Sequence, residues 1–112
     1  VSRPFEYVSP QDDRATVTGG YVTIHRRLLV HRTVELHITR ELVQRDGIRV
    51  SRVQLPGSRA TYRPGEYQIA RPLALPGGIP PGEYQMTNVV HWRVNPIRVG
   101  DLPLPPVTVV IE

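Results

Sequence analysis

Residues 22–42 read VTIHRRLLVHRTVELHITREL, and this stretch decides the fold. Apolar side chains occupy most of its even positions, whereas the odd positions carry mainly His, Thr, Glu and Arg. A spacing of two is the period of a β-strand, because successive side chains of a strand point to opposite faces. Arg26, Arg32 and Arg40 interrupt the apolar series at even positions. We therefore expect strands with one face on a core and the other in solvent.

The stretch is too long to be one strand. At ~3.3 Å per residue it would extend about 70 Å, several times the usual strand length. It must therefore fold back, and Arg26 and Arg32 mark the expected breaks. A helix over residues 25–45 is the alternative, but spacings of three and four fit the apolar positions less well, and Val, Ile and Thr favour strands.

Turn signals recur about every ten residues in the rest of the chain. Asp46-Gly47 is typical of a tight hairpin, because Gly adopts the positive φ angles that such turns need. A shift of the apolar phase near Ser51-Arg52 indicates a bulge or a change of sheet. Pro56-Gly57 is expected to end that strand, with residues 58–66 as a polar connection.

Three further segments alternate in the same way. They start at Tyr67, Tyr84 and Val107, and Arg71-Pro72 makes the first of them an edge strand or a bent one. With the segment from Phe5 to Val8, the sequence predicts seven or eight short strands. We expect an all-β fold, an immunoglobulin-like two-sheet antiparallel sandwich.

Composition supports this fold class and excludes several others. The 112 residues include 12 Pro and 9 Gly, which leaves little room for long helices. The absence of Cys excludes disulfides and thiolate zinc sites. No apolar run approaches the ~20 residues of a membrane-spanning helix. The net charge of +4 is modest, and its Arg residues alternate with Asp and Glu, so nucleic acid is an unlikely partner.

The domain prediction is a single immunoglobulin-like domain over residues 1–112, with residues 1–13 as an extended N-terminal arm. The chain begins at Val1 without Met. Two interpretations stay open: a leader or membrane anchor precedes Val1, or the initiator Met has been removed.

The sequence Pro-Gly-Glu-Tyr-Gln occurs twice, at residues 64–68 and 81–85. Only the second copy is followed by a long alternating segment and then a terminal one. That copy resembles the tyrosine corner of immunoglobulin-like domains, in which Gly-x-Tyr opens the penultimate strand. The resemblance implies that Gly82 forms the turn and that the Tyr84 hydroxyl bonds to backbone a few residues upstream. We expect Tyr67 to be an ordinary first residue of a strand.

Two residues depart from the antibody pattern. Disulfide-bonded members have Cys two positions after the Tyr, and this chain has Met86, so apolar packing would replace the bridge. Trp92 lies two strands later than the core Trp of an antibody domain. We expect both side chains in the core of a sandwich that is not of antibody type. The segment 75–111 contains LPGGIPPGEY at residues 75–84, RVNPIR at 93–98 and LPPV at 104–107. With these motifs it is similar to small phage-encoded proteins with one immunoglobulin-like domain, which implies a viral origin.

His25, His31 and His37 are the strongest candidate for a metal site, because they recur every six residues on the polar face. Six strand residues extend about 20 Å, which favours separate solvated histidines. Asp12-Asp13 and the Glu residues of the repeated turns are interpreted as turn residues. We therefore predict no metal and no cofactor.

Catalytic motifs are absent from the sequence. No Gly-x-Ser-x-Gly elbow, Gly-rich phosphate loop or thiol nucleophile occurs, so we expect a protein that is not an enzyme. The densest basic patch, which could meet phosphate or an acidic partner, comprises Arg26, Arg27, His31 and Arg32. Glu35 and Glu41 lie close on the same face and favour a solvated surface instead.

The first functional hypothesis is a virus-encoded structural or protein-binding module, either a virion component or an accessory protein. Its partner would be a protein, a virion neighbour or a second copy, docked on a sheet face, an edge strand or the N-terminal segment. The second hypothesis is the soluble ectodomain of a membrane-anchored accessory protein. The third is a glycan- or nucleic-acid-binding sandwich whose salt-sensitive affinity depends on Arg26, Arg27 or exposed aromatic side chains. Localisation is unknown, and would be the virion or a membrane if the gene is viral.

Overall fold

The structure is a computed structural model that describes residues 3–8 and 11–112. Within these ranges the chain forms eleven strands. They are β1 (Phe5–Val8), β2 (Arg14–Thr16), β3 (Tyr21–Thr23), β4 (Arg26–Val30), β5 (Val34–Asp46), β6 (Arg49–Tyr62), β7 (Gly65–Ile69), β8 (Pro72–Ala74), β9 (Gly82–Asn95), β10 (Arg98–Pro103) and β11 (Val107–Ile111). The same ranges contain no helix with the length and hydropathy of a membrane span.

The larger layer is a six-stranded sheet in the order β2-β11-β9-β5-β6, with β10 also paired to β9. Strand β9 is long enough to pair with β11 over its first residues and with β10 over its last ones. Its other side pairs with β5, and β5 pairs along its length with β6. The β5–β9 pair therefore forms the centre of this layer.

The second layer consists of the sheet β1-β4-β7 and the short pair β3-β8. Arg26 pairs with Ile69 and Thr23 pairs with Pro72, so β3 continues the line of β4 and β8 continues that of β7 in one register. Residues 24–25 and 70–71 interrupt the ladder. The predicted edge or bent strand at Arg71-Pro72 is confirmed, because β8 begins at Pro72 and has β3 as its partner.

The all-β class is confirmed, but the expectation of seven or eight antiparallel strands is wrong. Eleven strands occur in the described ranges because the ladder is interrupted and because β2 and β10 were not predicted. Strand β2 also runs parallel to β11, with Ala15 opposite Val109. A parallel partner distant in the sequence leaves no local pattern.

Strand β6 does not end at Pro56-Gly57. Ile38 pairs with Ser58 and Arg40 with Leu55, so two residues of β6 lie opposite Thr39 alone. This bulge accommodates Pro, which cannot donate to the ladder, on the edge strand of the sheet. The expected polar connection over residues 58–66 is therefore wrong as far as Tyr62, and the bulge lies at residues 56–57 instead of 51–52.

The predicted Asp46-Gly47 hairpin is confirmed. Asp46 pairs with Arg49, and Gly47 and Ile48 form the loop. Gly47 has φ 62, a conformation that favours glycine.

Two apolar clusters lie between the layers. The first comprises Phe5, Leu28, Val30, Val34, Leu36, Val90, Trp92 and Leu104. The second comprises Val22, Leu42, Leu55, Tyr84, Met86, Val107 and Val109. Each cluster draws on both layers, so the layers pack face to face as in a sandwich. Met86 and Trp92 lie in these clusters, as the sequence predicts.

Part of the predicted N-terminal arm belongs to the sandwich. Strand β1 pairs antiparallel with β4 from Phe5 opposite Val30 to Val8 opposite Arg27. Phe5 is 1% exposed and packs edge-on against Trp92, with ring centroids 4.9 Å apart. Residues 1–2 and 9–10 of the arm lie outside the described residues.

Candidate functional site

Both copies of the repeated turn make the same hydrogen bond. The Tyr84 hydroxyl donates to the Pro80 carbonyl oxygen at 2.7 Å, and the Tyr67 hydroxyl donates to the Arg63 carbonyl oxygen at 2.7 Å. In each case the acceptor precedes the Pro of the motif. The Tyr84 bond is the predicted one, whereas the prediction that Tyr67 is an ordinary first residue of a strand is wrong.

The glycines of the two turns explain this equivalence. Gly65 has φ 153 and Gly82 has φ 149, in the region that favours glycine. Each glycine thus allows the backbone conformation in which the Tyr hydroxyl reaches the carbonyl four residues upstream. The two turns are structural elements that hold the starts of β7 and β9.

Replacing Tyr84 or Tyr67 by Phe should lower the free energy of unfolding by about 1 kcal/mol, since each change removes one intramolecular hydrogen bond. Urea denaturation of Tyr84→Phe and Tyr67→Phe measures the loss. Tyr21→Phe is the control, because the Tyr21 side chain is 53% exposed. Equal losses in all three variants would contradict the role of the two bonds.

The predicted basic patch is dispersed over the molecule. Arg26 is buried at 8% exposure, on the opposite face of β4 from Arg27. Arg27 forms an ion pair with Glu66 across to β7. His31 follows β4 and lies 4.0 Å from the Glu6 carboxylate. Arg26, Arg27, His31 and Arg32 therefore form no common surface, because alternation along β4 sends the first two in opposite directions.

The histidine series does not converge either. Within the described residues no group of three or more His, Asp and Glu is arranged to hold a metal ion. His25 bonds to Asp12, whose Oδ2 accepts from the His25 backbone N at 2.8 Å and lies 2.7 Å from Nδ1. These two bonds lower the pKa of Asp12. The Asp12 carboxylate thus has a structural partner.

A chain of hydrogen bonds crosses three strands on the outer face of the larger sheet. Asp101 Oδ1 lies 2.5 Å from His91 Nδ1, and His91 Nε2 lies 3.0 Å from Thr39 Oγ1. The order carboxylate, imidazole, hydroxyl resembles that of a serine-protease triad. A triad also needs hydrogen-bond donors directed at an oxyanion. Thr39 lies on β5, which is paired on both sides by β9 and β6. We interpret this series of hydrogen bonds as a network that links neighbouring strands.

A groove lies at the end of the β9–β10 hairpin. Its volume is about 810 Å³. Its charged lining residues are Arg3, Arg32, Arg93, Arg98 and Asp101. Four arginines share this lining with one carboxylate, so the groove is basic.

Apolar side chains are exposed next to this groove. Ile97 at the hairpin tip is 96% exposed, and Val99 and Val94 are 57% and 42% exposed. Strand β10 pairs only with β9 among the described strands, so its other edge offers unpaired backbone groups. A basic groove, an apolar tip and an open edge therefore adjoin one another.

A polar layer separates the two apolar clusters inside the sandwich. We call it the arginine layer; it comprises Arg26 on β4, Arg40 on β5, Asn88 on β9 and Tyr7 on β1. Arg40 and Asn88 are cross-strand neighbours. The layer takes its place in the interior because all four residues follow the inward alternation of their strands.

Several polar atoms of the arginine layer have no hydrogen-bond partner among the described residues. They are the Tyr7 hydroxyl, Arg26 Nε and both side-chain atoms of Asn88. Arg40 is better satisfied: it donates to the Pro56 carbonyl at 3.3 Å and to Ser58 Oγ at 3.1 Å, both at the β6 bulge. Buried polar groups are normally paired, so this layer departs from an ordinary core.

A cavity of about 180 Å³ adjoins the arginine layer between the sheets. We call it the inter-sheet cavity. Its polar lining residues are Tyr7, Arg26, Arg40, Ser58, Arg59, Arg71 and Tyr62. Its apolar wall includes Ile38, Ile69 and Leu73. None of the described residues that line it is Asp or Glu.

Burial shifts the pKa of three side chains of the arginine layer. It raises the pKa of Tyr7 to about 12, so the hydroxyl stays protonated and can donate a hydrogen bond at neutral pH. Burial also lowers the pKa of Arg26 and of Arg40. Arginine is nevertheless effectively always protonated in proteins, so both remain cations.

The sequence carried a signal for this layer. Arg26 and Arg40 stand at even positions, in phase with the apolar residues of 22–42, and Asn88 stands in phase with the apolar residues of β9. The predicted breaks at Arg26 and Arg32 are confirmed, because β4 begins at Arg26 and Arg32 lies between β4 and β5. The sequence interpretation nevertheless missed that the in-phase Arg26 points into the core. Tyr7 gave no such signal, since tyrosine is common in strands.

Comparison with known proteins assigns this chain to no family. No family model matches the chain, and no curated protein matches it. Among solved structures it is similar to Spo0M, the sporulation control protein of Bacillus subtilis, at 14% sequence identity and a TM-score of 0.47. The alignment covers 99% of this chain and 50% of that one, so the chain spans half the length of Spo0M.

Proposed function

We propose that this chain is a non-enzymatic protein-binding module whose docking surface is the β9–β10 end. The observation that carries the proposal is the exposed Ile97 at a hairpin tip beside an arginine-lined groove. Its occupant is an extended segment of a partner protein that combines acidic and apolar side chains.

Each part of the surface matches one part of such a segment. The backbone of the segment would add to the open edge of β10. Its carboxylates would meet Arg93 and Arg98, and its apolar side chains would cover Ile97 and Val99. Electrostatic complementarity of this kind speeds association and selects partners.

We also propose that the sandwich is of immunoglobulin type, which the Tyr84 hydrogen bond supports. The viral origin, with a virion or accessory role, and the membrane-anchored ectodomain stay predictions. The glycan- or nucleic-acid-binding hypothesis also stays a prediction, although Arg26 is buried and Arg27 is paired with Glu66.

Selection from a displayed library of random peptides tests the docking surface. We expect enriched peptides in which acidic and apolar residues alternate, and binding that weakens with salt. Ile97→Asp should abolish binding. Ile48→Asp is the matched control, because Ile48 is 102% exposed at the tip of the other hairpin. Enrichment of basic peptides, no enrichment, or equal binding by both variants would overturn the proposal.

A further inference from the structure

The inter-sheet cavity carries an excess of positive charge. Among the described residues, Arg26, Arg40 and Arg71 form no ion pair with a carboxylate, and the fourth lining arginine, Arg59, lies 3.8 Å from Glu35. An unpaired charge in a protein interior is costly. Of these three, Arg26 is buried and Arg40 is half-buried, whereas Arg71 is exposed. The lining therefore has two cations in or near the interior that a bound anion could compensate, with Arg71 as a third, solvated one.

We propose that the inter-sheet cavity binds a phosphate group, either as inorganic phosphate or as the head of a small phosphate ester. Guanidinium groups match phosphate oxygens with paired N–H donors. Tyr7 adds a hydroxyl donor that has no partner among the described residues. A phosphate ester carries about two negative charges at neutral pH, which suits three arginines better than the single charge of a carboxylate.

The size of the cavity is consistent with this ligand. A volume of about 180 Å³ is several times what one water molecule needs, so the cavity has room for a tetrahedral anion. Water could satisfy the Tyr7 hydroxyl and Arg26 Nε, but it would leave the charges uncompensated. The apolar wall formed by Ile38, Ile69 and Leu73 can pack against the carbon part of an ester.

The β6 bulge positions Arg40 on one side of the inter-sheet cavity. Gly57 lies so close to β5 that an added Cβ would stand 2.9 Å from the Ile38 carbonyl oxygen. The bulge places the Pro56 carbonyl and Ser58 Oγ against the Arg40 guanidinium. These two bonds fix Arg40 at the cavity before any ligand arrives, which reduces the entropy lost on binding.

Thermal unfolding at constant ionic strength tests the proposal, with sodium chloride, acetate, inorganic phosphate or glycerol 3-phosphate as the added salt. Phosphate should raise the midpoint of the wild type above its value in chloride, with a shift that grows with the logarithm of concentration. A larger shift with the ester would identify an organic phosphate, and an equal shift would identify inorganic phosphate. An equal rise with acetate, or no rise with either phosphate, would overturn the site.

Three variants test whether the response to phosphate comes from the inter-sheet cavity. Arg26→Met should have a higher midpoint than the wild type in chloride, because it removes a buried charge that has no carboxylate partner. Arg26→Met and Arg40→Met should both show no response to phosphate. Arg45→Met should respond like the wild type, since Arg45 is exposed and lies elsewhere on β5. Loss of the response in Arg45→Met alone would contradict the location.

A milder variant keeps the test valid if the arginine variants fail to fold. Tyr7→Phe removes one hydroxyl that would donate to the anion and leaves the ring in place. Titration calorimetry with inorganic phosphate should show about tenfold weaker binding than the wild type, the expected loss of one hydrogen bond to a charged group. Unchanged affinity would overturn the assignment of this cavity.

Discussion

Replacing Trp92 by Ala should lower the free energy of unfolding by about 3–5 kcal/mol, the cost expected when a large buried aromatic side chain is removed. Trp92 is 9% exposed and packs in the first apolar cluster. Its ring meets Phe5 edge-on at 4.9 Å, so the change removes an aromatic pair and leaves a cavity that β1 and β9 cannot close.

Denaturant melts of Trp92→Ala and His31→Ala compare the stability lost with a core side chain and with an exposed one. His31 is exposed, and its loss should change stability by no more than about 0.5 kcal/mol. Small and equal changes would show that Trp92 does not support the core.

Replacing Gly100 by Ala should lower the free energy of unfolding by about 1–3 kcal/mol through overpacking. Gly100 lies opposite Trp92 in the β9–β10 pair. An added Cβ would stand 2.5 Å from Trp92 Cζ2 and 2.6 Å from Cε2. The indole is rigid and packed in the core, so the strain must displace β10 or the ring.

A double-mutant cycle isolates this contact. In the Trp92→Leu background, Gly100→Ala should cost much less, because the ring that the new methyl group meets is gone. Gly77→Ala is the matched control, since nothing lies within 4 Å of a Cβ at Gly77. A cost for Gly100→Ala that is the same in both backgrounds would contradict a clash with Trp92.

Alternation in the sequence predicted which residues face inward with good accuracy. Leu28, Leu36 and Leu42 of the opening stretch are all buried, as their even positions indicate. The Asp46-Gly47 hairpin was also predictable, because its turn depends on two adjacent residues. Both features are local, so the chain specifies them without reference to its fold.

Long-range features could not be predicted in this way. The parallel pairing of β2 with β11 depends on segments that lie far apart in the sequence. Continuation of β6 past Pro56-Gly57 depends on its place at the sheet edge, where a missing backbone donor is tolerated. The inter-sheet cavity forms only where β4, β5 and β6 meet in the folded chain. The sequence therefore indicates that Arg26 and Arg40 point inward, but not that they line one cavity.

The two proposed sites use different parts of the fold. The docking surface lies on the β9–β10 hairpin, whereas the inter-sheet cavity is lined by β1, β3, β4 and the region from β5 to β8. Substitutions at Ile97 should therefore leave the phosphate response intact. Substitutions at Arg26 should leave peptide binding intact, which allows each proposal to fail alone.

Diffraction from crystals soaked in selenate, a tetrahedral dianion that scatters anomalously, tests the arginine-lined cavity most directly. We expect an anomalous peak between the guanidinium groups of Arg26 and Arg40, within hydrogen-bonding reach of the Tyr7 hydroxyl. Selenate peaks confined to arginines on the outer surface, with none in the cavity, would contradict the account.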